Sequence, residues 1–227
     1  MARVSGNVLG NLKGKLGNLS ARTVDGQTIL SARPSSFNVS QTPESIAARK
    51  RFAITGNFSK FLMDIPDLVS IWKKVKYSGM SVFNTAFKYN YAYTSEDRPT
   101  DENIITPGGF SIPVTSAILA ADNLALELGA LNSVAVFSAE EVDLSIAAVV
   151  VYHNPLDPED EDYRVIKLTK AEAGFDFTSA YSGSLSLDVV QQALAAKYQN
   201  SILYLAVASK SAEGNVVQYS ATFAQQS

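Results

Sequence analysis

The densest run of metal-ligating side chains is NPLDPEDEDY at 154–163, which places Asp157, Glu159, Asp160, Glu161 and Asp162 close together. Carboxylate oxygens at that density are the donor set of a hard cation such as Ca²⁺. The stretch lacks the central glycine and distal glutamate of an EF-hand loop. It therefore reads as a solvated loop between strands, whose charge also suits contact with a basic surface. Other catalytic patterns fail on spacing or supply. Cysteine is absent and His153 is the single histidine, which excludes thiolate chemistry, disulfides and a multi-histidine metal site within one chain. Glu140 and Glu141 are adjacent, and neighbours on a strand point to opposite faces, so they do not pair as acid and base. No G-x-S-x-G elbow occurs, and Gly14-Lys15 is followed by Leu16 where a phosphate-binding loop needs a hydroxyl. The expectation is a non-enzymatic chain with no catalytic, cofactor-binding or metal residues.

A second constellation is basic. Arg49, Lys50, Arg51, Lys73, Lys74 and Lys76 fall on segments with helical periodicity, near Phe52, Trp72 and Tyr77. Single-stranded nucleic acid would use such charges for phosphate and such rings for stacking. The aromatics fall at core spacing, so they are expected to be buried and nucleic acid is disfavoured as a partner. Charge is also divided along the chain. Residues 1–98 hold fourteen Lys/Arg against six Asp/Glu, whereas 99–227 hold five against sixteen, giving +8 and −11 within a net −3. Complementary halves of this size can orient one copy against the next.

The elements that must carry these groups follow from local pattern. The opening MARVSGNVLGNLKGKLGNLS is expected to be an extended arm, because four interior glycines oppose a helix. Gly6, Gly10, Gly14, Lys15, Leu16, Gly17 and Leu19 are its expected assembly contacts. Asp25-Gly26 marks a type I′ turn and predicts a hairpin over 19–33 that pairs Thr23 with Thr28, Ala21 with Leu30 and Leu19 with Ala32. Thr42 as N-cap before Pro43 and Glu44 opens a helix that Pro66 stops. Asp67–Lys76 gives a second, with Leu68, Ile71, Trp72 and Val75 inward. A third runs from about 79 to 91, with Met80, Phe83, Phe87 and Tyr91 on one stripe. SEDRPTDEN at 95–103 reads as a linker. Beyond it, short strands separated by turns suggest a sandwich, with its best core strands at Ile146–Tyr152 and Ile202–Ala208.

Hydrophobic residues at 46% and charged residues at 18% permit a real core, and no apolar run is long enough to span a membrane. No standard signal peptide is legible. GKLGN at 14–18, SARPSS at 31–36, AARKRF at 47–52, GMSVFNTAFKYN at 79–90 and GNVVQYSATF at 214–223 together resemble an uncharacterised domain family widespread in Bacteroidota. That resemblance implies a layout and no established activity. The expected fold is α+β: an arm (1–18), a hairpin with a small helical layer (19–94), a linker (95–103) and an immunoglobulin-like β-sandwich (104–227). The expected function is a structural subunit that joins copies of itself, and other assembly proteins, head to tail through the arm and the complementary halves. A virion or extracellular assembly is its expected setting, with a cytoplasmic place as the alternative. A ligand-binding sandwich for a glycan or protein is the alternative function.

Overall fold

The computed structural model describes residues 2–4, 12–33, 36 and 39–227. The chain is α+β, with a β-rich C-terminal half. Among the described residues, four short strands open it: β1 (Ala2–Val4), β2 (Gly14–Leu16), β3 (Leu19–Val24) and β4 (Gln27–Ala32). The Asp25-Gly26 turn has positive φ at both residues, as a I′ turn requires, and sets the register that pairs Thr23 with Thr28, Ala21 with Leu30 and Leu19 with Ala32. The expected arm is not free along its described length. Gly14–Leu16 adds to one edge of this hairpin after a turn at Gly17, and Ala2–Val4 adds to the other. Gly6 and Gly10 lie outside the described residues.

Three helices follow: α1 (Pro43–Met63), α2 (Pro66–Lys74) and α3 (Val82–Asn90). Thr42 and Ser81 cap α1 and α3 through their hydroxyls, and Pro66 starts a new helix where it ends the old one.

The β half contains a three-stranded sheet of β5 (Val114–Leu119), β6 (Asn123–Leu128) and β9 (Tyr181–Ser186), ordered β5-β6-β9. A five-stranded sheet comprises β7 (Glu141–Pro155), β8 (Tyr163–Glu172), β10 (Tyr198–Ser211), β11 (Val216–Tyr219) and β12 (Phe223–Gln226). Its order is β8-β7-β10, and β11 and β12 share the far edge of β10 end to end. A short helix, α4 (Val189–Ala195), precedes β10 behind a capping box of Asp188 and Gln191.

The two central strands explain their near-continuous apolar sequence by being buried on both faces. Leu144, Ile146, Ala148 and Val150 of β7, with Leu203, Leu205 and Val207 of β10, face the three-stranded sheet. Ala147, Val149 and Val151, with Ile202, Tyr204 and Ala206, face Phe58, Leu62, Leu68, Ile71 and Trp72 of the helices. The molecule is therefore three layers deep, helix on sheet on sheet.

The 95–103 stretch does not hang between separate bodies. Asn103 is buried and donates to the Asn90 backbone oxygen, Asn90 Oδ1 and Thr94 Oγ1. Tyr204 of the sheet donates to the Thr100 carbonyl, and Trp72 Nε1 donates to the Ile105 carbonyl at 2.9 Å. No helix among the described residues is long and apolar enough to cross a membrane.

Candidate functional site

The helical layer carries an aromatic face, which includes Phe52, a residue expected to be buried. On α3 the buried row is Thr85, Ala86 and Asn90. Phe83, Phe87 and Tyr91 lie on another row, half-buried, and Phe52 of α1 joins them at 60% exposure. The rings form a ladder, with centroids 4.7 Å apart for Phe52–Phe87, 6.3 Å for Phe83–Phe87 and 5.7 Å for Phe87–Tyr91. With Met80 and Lys88 they line an open groove of about 380 Å³ in which no carboxylate appears. Lys88 lies 4.2 Å over the ring of Tyr77, itself 40% exposed. Of the three aromatics expected to be buried near the basic residues, only Trp72 is fully so.

This face exists because α3 turns small and polar groups inward. Asn90 satisfies its amide on the Ala86 and Ile104 carbonyls and accepts from Ile104 N–H and Asn103. A buried amide so paired is stable in the interior, and its helix row then carries the rings to the outside. The N-terminal part of α1 contributes further. Residues 43–53 have no buried position, so that stretch stands clear of the sheet.

The six expected basic residues do not form one surface. Lys74 is turned to the protein, donating to the carbonyls of Val216 and Val217 on β11 at 2.8 and 2.9 Å. Lys76 pairs with Asp25 of the hairpin turn and donates to the Met80 carbonyl. Lys50 and Lys73 are exposed, Arg51 is half-buried, and Arg49 is exposed while donating to the Ser40 carbonyl. Arg49 sits one turn before Phe52, so it borders the aromatic face.

The acidic run forms the loop between β7 and β8. Asp160 pairs with Lys197 at 2.7 Å and Glu161 with Arg164 at 2.8 Å. Asp157 accepts from Glu159 N–H within the loop, and Asp157, Glu159 and Asp162 make no ion pair among the described residues. Beside them Leu156 is 62% exposed. Among the described residues no three acidic or imidazole groups gather as a metal site. Lys15 and Leu16 are exposed on the β2 edge, with Leu19 half-buried opposite.

Glu141 and His153 are titratable groups in the interior. Glu141 accepts from Ser138 N–H and Oγ, Ser209 Oγ and Gln218 Nε2. Burial raises its pKa, but those donors outweigh it and hold the carboxyl below its ordinary value. Glu140 beside it is exposed in the turn before β7, so the two carboxylates do not share a site. His153 is buried on β7, and burial, opposed by the neighbouring Asn154 side chain and joined by the Arg98 charge, holds its pKa below the usual value. Neither group lies on the aromatic groove.

No family model, curated protein or solved structure matches this chain.

Proposed function

We propose that the protein is a non-enzymatic structural subunit that assembles with copies of itself. The observation that carries this reading is the aromatic face of Phe52, Phe83, Phe87 and Tyr91, a contiguous apolar surface with a basic border. Contiguous exposed rings are characteristic of surfaces that are covered by a partner. In this reading the helical layer, and not only the N-terminal segment, supplies a contact. The exposed β2 edge with Leu16 offers a second route, by strand addition.

The β half fits an immunoglobulin-like arrangement in this proposal. Taken in chain order, β5, β6 and β9 correspond to strands A, B and E. The set β8-β7-β10-β12 corresponds to C′-C-F-G. Phe110 pairs in parallel with Ser220, as an A′ segment does with strand G.

Sedimentation across a wide concentration range tests the function. The wild type is expected to gain mass with concentration, and Phe52→Ser to shift that transition upward roughly tenfold or more from the lost apolar burial. A wild type that stays monomeric throughout refutes the proposal. The alternative is a ligand-binding sandwich. It is favoured by a groove of about 470 Å³ beside the stacked rings of Phe137 and Phe177, 4.3 Å apart.

A further inference from the structure

Resting on the self-assembly reading, we infer that the aromatic face of one copy receives the β7–β8 acidic loop of the next, in a head-to-tail contact. Charge and shape are complementary. The face has Lys88 in its lining and Arg49 one turn along α1 from Phe52, and its lining holds no carboxylate. The loop presents Leu156 as an exposed apolar side chain at its base, next to Asp157 and Glu159, whose charges are uncompensated by any ion pair among the described residues.

The loop is held ready for this contact. Leu156 N–H donates to the Lys197 carbonyl, Lys197 pairs with Asp160, and Tyr198 donates to the Glu161 carbonyl. A loop fixed in this way loses little conformational freedom on docking. Charge complementarity between copies also selects against face-to-face pairing, which would bring Arg49 and Lys88 of two molecules together.

The geometry within one chain dictates the symmetry. The loop borders α1 across a crevice at Asn57 and Phe61. Phe61 follows Phe52 by nine residues, about two and a half turns, so the two rings leave opposite sides of the helix. One molecule therefore carries loop and face on different sides, and pairing them between copies is heterologous. Such contacts propagate into a ring or a filament, where a two-fold dimer would use one shared patch.

The absence of native cysteine makes the test direct. Asn84→Cys on the face and Glu159→Cys on the loop are prepared as separate full-length proteins and treated with a short bismaleimide, alone and mixed. Mixing is expected to give a covalent pair that neither protein gives alone. As a second readout, Arg49→Glu with Lys88→Glu is expected to raise the assembly concentration roughly tenfold. Adding Asp157→Lys and Glu159→Lys in the same chain is expected to restore it. Asn84→Cys cross-linking to itself, or an assembling protein that gives no mixed product, overturns the loop assignment and leaves self-assembly standing. Failure of the wild type to gain mass at any concentration removes self-assembly and this contact together.

Discussion

Replacing Asn90 by leucine tests whether the helical layer and the sheets form one cooperative unit. Asn90 is fully buried and makes four hydrogen bonds through its side chain: to the Ala86 and Ile104 carbonyls at 3.0 Å each, from Ile104 N–H at 2.8 Å and from Asn103 Nδ2 at 3.0 Å. Leucine matches its size but none of these bonds. Asn103 keeps two acceptors, the Asn90 carbonyl and Thr94 Oγ1. The Ile104 N–H and carbonyl lose the Asn90 partner, and each such stranded group costs about 1–3 kcal/mol. Ile104 is only half-buried, which lowers the sum to roughly 2–4 kcal/mol. Urea unfolding is the assay, followed by fluorescence of the single tryptophan, Trp72, and by the methyl NMR signals of Leu124 and Leu126 in β6. Trp72 is buried in the helical layer, whereas the two leucines are buried in the other core, against the three-stranded sheet. The shared core predicts that both signals move together, by about 1 M or more in midpoint. A shift confined to fluorescence, or one worth under about 0.5 kcal/mol, refutes the reasoning.

Two further outcomes are expected. His153 has its pKa held below the ordinary 6.5 by burial, so the unfolded chain binds the proton first as pH falls. Stability is complete above pH 6.5 and declines below it, by up to about 1.4 kcal/mol per pH unit, until the folded-state pKa is passed. Chemical denaturation of wild type and His153→Leu between pH 7.5 and about 5 checks this, and an unchanged slope in the variant would count against it. Gly109 has φ +116°, and a Cβ there would lie 2.2 Å from the Tyr219 carbonyl oxygen. Gly109→Ala is expected to cost more than about 2 kcal/mol and to break the Phe110–Tyr219 hydrogen bond. Wild-type stability with normal exchange protection at Phe110 would contradict that account.

Much of the layout was legible where local chemistry dominates. Asp25-Gly26 fixes a turn and thereby a register, and Thr42-Pro43 marks where α1 begins. The apolar runs at Ile146–Tyr152 and Ile202–Ala208 signalled core strands because their burial has two sides. Periodicity was silent on orientation. It groups Phe83, Phe87 and Tyr91 on one row of α3 but not the direction in which that row points, and the row of Thr85, Ala86 and Asn90 took the interior. The signal for that orientation was a buried amide pair, Asn90 with Asn103, thirteen residues apart in a stretch whose polarity resembles a linker. Lys74 and Lys76 were equally deceptive, because long side chains reach backbone acceptors that only the tertiary fold supplies.

The placement of β10 in the middle of three layers has a kinetic consequence. The helices, and strands β5 to β9, all precede it in the chain, yet both cores need its side chains. Even then closure waits on residues 216–222. Lys74 finds its acceptors there, Thr222 Oγ1 accepts from the Ile105 and Thr106 amides, and Phe110 finds its parallel partner. Early elements therefore emerge from the ribosome with two apolar faces open and few local contacts to satisfy them. Folding is governed by long loop closures, and it is expected to be slow and sensitive to aggregation until the last strands arrive.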